Sequence, residues 1–248
     1  FVKQLSVTKS YLWDLILKSQ RAYRAQSSKF MRLNALMENG EILFEKGLYE
    51  QALVAWDKAK KLAEAFDEKA FILDLEAWKR RYFVDLKAEL WDTNVLPSFE
   101  TTDKLLEQYR TTFEIQKIYY QITKYIKTYP DFRNPEHKQK YEALLQHPLL
   151  QAKNEPADFY GKLYFNYVHS NYHNLANNEK ENLKYINKVI QLWHENPLLI
   201  NVEPIRYIAA INNYLGTLSK FGRYTEFINH VEAFKPPVSN SISQEAIY

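Results

Sequence analysis

Apolar residues recur along this chain at three- and four-residue intervals, the period of amphipathic helices. Tyr11, Leu12, Leu15, Ile16, Ala22 and Tyr23 predict a helix over residues 8–26, with Thr8 or Ser10 placed to cap it. Leu33, Leu36, Met37, Gly40, Leu43 and Phe44 share a face over residues 30–46, and Gly47 ends that helix. Its partner, about 48–66, shows Tyr49, Ala52, Leu53, Trp56, Ala59, Leu62 and Phe66. Ala52 and Ala59 stand where two antiparallel helices approach closely, with Trp56 as the bulky knob between them. Phe71, Leu75, Trp78, Tyr82, Leu86 and Leu90 then form one stripe of a long helix over residues 67–91. Residues 93–98 read as a break.

A further helix spans about 100–129, carrying Leu105, Leu106, Tyr109, Phe113, Ile118, Tyr119, Ile122, Tyr125 and Ile126, and stops before Pro130. A loop over 131–135 leads to a short helix over 136–147. Residues 149–156 read as a linker that divides the chain into lobes 1–150 and 151–248. The second lobe opens on a very aromatic helix over 157–175; Asn177-Asn178 turns the chain and residues 179–195 return it. Pro197 and Pro204 bracket the connection to a last helix pair that turns at Gly222, and Pro236-Pro237 closes it. Ser241 with Gln244 three residues on is a capping box, the expected first turn of another helix. With Phe1 rather than Met at the start, the expectation is a fragment cut at both ends.

Composition agrees with an all-α fold. Only 5 Gly and 9 Pro among 248 residues argue against the many tight turns of an all-β fold. The absence of cysteine excludes disulfides, thiolate metal sites and cysteine catalysis, and suits a reducing, cytoplasmic setting. No apolar run approaches the length of a membrane span. Net charge is +3, but residues 1–32 hold seven cations (Lys3, Lys9, Lys18, Arg21, Arg24, Lys29, Arg32) against Asp14. That asymmetry raises an alternative, a regulator that binds nucleic acid or another polyanion. The cations are interspersed rather than dense, so a solvated helix face explains them more simply and nucleic acid is not the expected partner.

Gly47, Tyr49, Ala52, Trp56 and Ala59, with Gly40 seven residues upstream of the turn, follow a recognisable spacing and resemble a tetratricopeptide repeat (TPR). A second match runs through Asn213, Tyr214, Leu215, Gly216, Gly222, Arg223, Tyr224, Phe227, Val231 and Phe234, with Phe227 and Phe234 in place of small residues. The best units are thus about 33–66 and 204–235. The whole chain looks similar to uncharacterised bacterial TPR-like proteins, which supply no function. The resemblance implies a right-handed superhelical solenoid of antiparallel hairpins, about 10 to 11 helices in all.

It also implies a non-enzymatic scaffold whose concave groove, lined by the first helix of each hairpin, holds a protein or peptide segment. By register that face carries Asn34, Met37, Glu41, Phe44 and Glu45 in one repeat and Asn212 and Lys220 in the other. Tyr164, Tyr167, Asn171 and Asn174 lie between. Asparagine suits the task because one side chain both donates to and accepts from a peptide backbone. Glu41 and Glu45 stand where a carboxylate clamp would need basic residues.

Catalytic and metal signals are weak, and no cofactor is expected. His169 and His173 are spaced to share a helix face, yet Ser170 replaces the glutamate a zinc protease places after its first histidine. A hydrogen-bonding or solvated pair is the simpler expectation. The acid pairs Asp67–Glu68 and Asp74–Glu76 read as charged helix faces.

Overall fold

The computed structural model describes residues 2–24, 28–84 and 91–237. Regular structure in these residues is helical throughout: eleven α-helices and three shorter helical turns. The chain forms two compact units, one ending at Phe66 and the other beginning at Asp67. The stretch 149–156, expected as the linker between lobes, lies inside the second unit. It holds two 3-10 turns, Pro148–Leu150 and Ala152–Asn154, and buries Leu150 in that unit's core.

The first unit contains α1 (Val2–Arg24), α2 (Lys29–Glu45) and α3 (Tyr49–Ala65). Helix α1 begins upstream of the expected start, so Thr8 and Ser10 lie within it and do not cap it. Ser28 caps α2, its hydroxyl accepting from the Met31 N–H at 3.5 Å. Helices α2 and α3 pack together as a hairpin. At the turn, the Leu48 N–H donates to the Leu43 carbonyl (3.0 Å) and the Gly47 N–H to that of Phe44 (2.9 Å). This closure puts Gly47 at φ +75, where a Cβ would be strained. Ala52, Ala55, Ala59 and Ala63 are buried along α3, and Trp56 is fully enclosed, its indole N–H donating to the Met37 carbonyl at 3.2 Å. The small residues and the knob sit where the spacing puts them.

The second unit contains α4 (Lys69–Phe83), a π-helical turn (Trp91–Val95), α5 (Leu96–Thr128), α6 (Pro135–Leu145), α7 (Phe159–Leu175), α8 (Glu179–His194), α9 (Pro197–Val202), α10 (Pro204–Lys220) and α11 (Tyr224–Ala233). Of the single long helix expected over 67–91, the described residues hold the part from Lys69 to Phe83. Helix α4 ends at Phe83, while Leu86 and Leu90 lie outside the described residues. The expected break at 93–98 is instead the entry to α5. Pro97 sits in the first turn, where a missing N–H is harmless, and the Ser98 hydroxyl donates to the Val95 carbonyl at 2.8 Å. Arg80 of α4 donates to the Ser98 and Thr102 hydroxyls at 3.1 and 2.9 Å, tying the two helices.

Helix α5 packs on α7, α7 on α8, α8 on α10, and α10 on α11. The core sets Ile115, Ile118 and Ile122 of α5 with Phe165 and Val168 of α7, Tyr141, Leu150 and Tyr185. Two more turns repeat the geometry of the first. Asn178 and Asn177 donate to the carbonyls of His173 and Asn174 (2.9 and 3.3 Å); Arg223 and Gly222 donate to those of Leu218 and Ser219 (2.9 and 3.2 Å). Helix α11 buries none of its residues and leaves Ile228 and Val231 exposed, so the last hairpin is the loosest, as its phenylalanines in place of small residues foretell. The helix expected from Ser241 lies outside the described residues.

Candidate functional site

Tyr160, Tyr164, Tyr167, Asn171 and Asn174 succeed one another at steps of four and three residues, so α7 presents them along one face. Helix α5 flanks this face on one side. Gln116 donates to the Tyr164 hydroxyl at 3.1 Å, and the Tyr119 ring packs 5.2 Å from Tyr164 and 5.7 Å from Tyr167. Helix α10 flanks the other. Arg206 donates to the same Tyr164 oxygen at 2.7 Å, lies 5.1 Å over the Tyr160 ring and pairs with Glu203 at 3.0 Å. The Tyr160 hydroxyl donates to Glu203 at 2.7 Å, closing the circuit. Further along, Asn213 hydrogen-bonds the Tyr167 hydroxyl. Lys220 donates to the Asn174 carbonyl and, at 2.8 Å, to its Oδ1. Helix α10 packs its backbone on α8 and meets α7 chiefly through these long side chains.

Burial raises the Tyr119, Tyr160 and Tyr167 hydroxyls above the ordinary phenol range, and Glu203 reinforces this at Tyr160. All three therefore stay protonated at neutral pH. Burial opposes the charge on Arg206, but Glu203 and the tyrosines more than offset it, so the guanidinium stays charged. The arrangement is a fixed array of neutral donors and acceptors around one cation.

The sequence-predicted residues fall unevenly on this array. Asn174 and Lys220 are brought into direct contact. Asn171 is half-buried and Asn212 exposed on the same two helices, and Tyr167 is half-buried. Tyr164 is 5% exposed, so it is the hub of the network and not a contact surface. In the first unit, Asn34 is exposed and Glu41 half-buried, but Met37 is buried and removed from any groove. The reason is the crossing at Gly40, which turns this edge of α2 toward Trp56. Phe44 is spent the same way, packed 4.8 Å from Tyr49 and 5.9 Å from Trp56.

Arg206, Glu203, Tyr160, Gln116, Tyr119 and Asn213 were not among the site residues expected from the sequence. Arg206, Asn213 and Lys220 recur every seven residues and Tyr160 precedes Tyr164 by four, a register signal that was there to follow. Gln116 carries no local signal, and Tyr119 shows only as one more aromatic of the 100–129 helix.

The two histidines are structural. The His169 Nε2–H donates to the Leu150 carbonyl at 3.0 Å, and its ring stacks on Tyr185 at 4.5 Å. His173 stacks on the same ring at 5.8 Å. Burial lowers both pKa values, that of His169 to about 4. No group of three or more metal-ligating side chains occurs among the described residues.

The reading of Asp67 and Glu76 as members of charged helix faces is corrected. Asp67 occupies the turn before α4 at φ +53, and Glu76 is buried. The Asp67 carboxylate accepts from Lys69 and, at 2.9 Å, from the Tyr160 N–H. Lys69 also pairs with Asp158 (3.3 Å), which caps α7 through the Gly161 N–H (2.7 Å) and accepts from Thr112. This nearly dry cluster pins the starts of α4 and α7 to α5. Burial raises the Asp67 pKa even against Lys69.

Compared with known proteins, the chain matches no family model, no curated protein and no solved structure.

Proposed function

We propose that this chain is a TPR-like, solenoid-forming scaffold, non-enzymatic and cytoplasmic, that binds an extended protein segment along the face shared by α5, α7 and α10. One observation carries the reading: the α7–α10 interval is spanned by preorganised side chains, Arg206 on Tyr164, Asn213 on Tyr167 and Lys220 on Asn174. Side chains already locked by their neighbours lose little further entropy when a ligand binds. Asparagines and hydroxyls that both donate and accept match a peptide backbone, whose groups alternate the same two roles. The exposed Asn212 and Tyr120 extend the array outward. No described helix is long and apolar enough to cross a membrane.

The test is selection of random displayed peptides on the full chain, followed by fluorescence polarisation with a selected peptide. Asn171→Ala and Asn212→Ala, which leave the side-chain network of Tyr164, Arg206 and Glu203 intact, are expected to weaken binding together by at least tenfold, about 1.4 kcal/mol. Equal affinity for the double variant would remove this face from the function.

A further inference from the structure

Helix α1 presents a long apolar face to water. Tyr11, Leu12, Leu15, Ile16 and Tyr23 are 64%, 55%, 44%, 46% and 66% exposed. At the pitch of an α-helix they share an arc of roughly 140° with Ala22. Of residues 6–23 only Leu17 is half-buried, and it falls on the opposite side of the helix. What contact the helix makes is therefore on its far side, and no other described element packs broadly on it. Lys9 and Lys18 fall about 20° beyond the two edges of the apolar arc. Residues 2–24 hold five cations (Lys3, Lys9, Lys18, Arg21 and Arg24) against one acid, Asp14, which lies with Arg21 on the polar side.

We propose that α1 lies flat on an anionic lipid surface, its apolar face sunk to the acyl boundary and Lys9 and Lys18 reaching lipid phosphates on either side. Three features of the helix select this occupant. Both rims of the apolar arc are cationic and neither carries an acid, and a negatively charged plane meets two such rims at once. Lysine stems pack along apolar surface while their ammonium groups stay at headgroup level. Tyr11 stands at one edge of the arc and Tyr23 toward the other, each with an apolar ring and a polar tip suited to that boundary. Thr8 and Ser19 interrupt the middle of the arc, and no described helix is apolar enough to cross a membrane, so α1 lies on the surface and does not span it. Nucleic acid would neutralise the cations but leave the apolar arc in water. No residue of α1 belongs to the α5–α7–α10 face, so either can fail without the other.

The test is co-sedimentation of the full chain with phosphatidylcholine vesicles, with and without phosphatidylserine. The wild-type chain is expected to bind the anionic vesicles at least tenfold more tightly than the neutral ones. Leu12→Glu with Ile16→Glu removes the apolar anchors, and Lys9→Glu with Lys18→Glu reverses the rims. Each pair is expected to weaken binding to the anionic vesicles at least tenfold. All four changes fall on exposed residues, and far-UV circular dichroism checks that helicity is kept. A wild-type chain that stays in the supernatant with anionic vesicles would overturn the proposal, as would binding that survives the apolar pair. Duplex DNA bound by the wild type in place of vesicles, and lost with the lysine pair alone, would assign the cations to nucleic acid instead. A chain that ignores vesicles yet self-associates in sedimentation velocity, and loses this with the apolar pair, would assign the face to a second copy.

Discussion

At Gly40 the backbone of α2 runs against the indole of Trp56, and a Cβ there would lie 2.1 Å from its nitrogen. Glycine to alanine inside a helix ordinarily stabilises by up to about 1 kcal/mol. Here the sign reverses, because Trp56 is fully enclosed and overpacking costs about 1–3 kcal/mol. Gly216 is the matched control: it lies within α10 and a Cβ meets nothing within 4 Å. Thermal melts should show Gly40→Ala lowering the midpoint and Gly216→Ala raising it; a rise for both would contradict the close approach. His169 carries a second expectation at this scale. Its folded pKa is pushed down to about 4 from an ordinary 6.5, so the unfolded chain takes up the proton first. Stability therefore falls as pH drops from 6.5 toward 4, by up to about 3 kcal/mol from this residue. His169→Gln keeps a donor for the Leu150 carbonyl and should flatten the pH dependence of urea unfolding, leaving the share due to His173. Parallel profiles for the two proteins would refute the assignment.

At the scale of elements, three hairpins close through the same pair of backbone hydrogen bonds, with Gly47, Asn177 and Gly222 in left-handed conformation. Asparagine tolerates that region less well than glycine and better than alanine. Asn177→Gly should thus stabilise by several tenths of a kcal/mol and Asn177→Ala cost about 1 kcal/mol in denaturant unfolding. An alanine variant as stable as the parent would mean the turn has another closure. These turns were legible in the sequence because their cause is local: a residue that accepts positive φ, flanked by helical periods. The exposure of α1 was not legible: Tyr11, Leu12 and their neighbours keep helical spacing whether or not anything covers them.

At the scale of the whole chain, the all-helical class and the order of helices followed from periodicity, while the division at Phe66–Asp67 did not. Asp67 looked like one of a pair of surface acids, yet it holds the Tyr160 N–H 93 residues away. Lys69 is likewise buried by partners far along the chain, a pairing no local pattern encodes. The candidate site shows the same limit. Asn171, Asn174, Asn212 and Lys220 came from register on two helices, whereas Gln116 and Tyr119 joined them only because α5 packs on α7.

Whether the α5–α7–α10 face receives a protein segment is decided by hydrogen-exchange mass spectrometry with and without a selected peptide. Added protection is predicted in α7 and α10, with α5 following and α8 and α11 unchanged. Protection confined to α8 and α11, or none on α7 while the peptide is bound, would place the segment elsewhere and refute the proposed function.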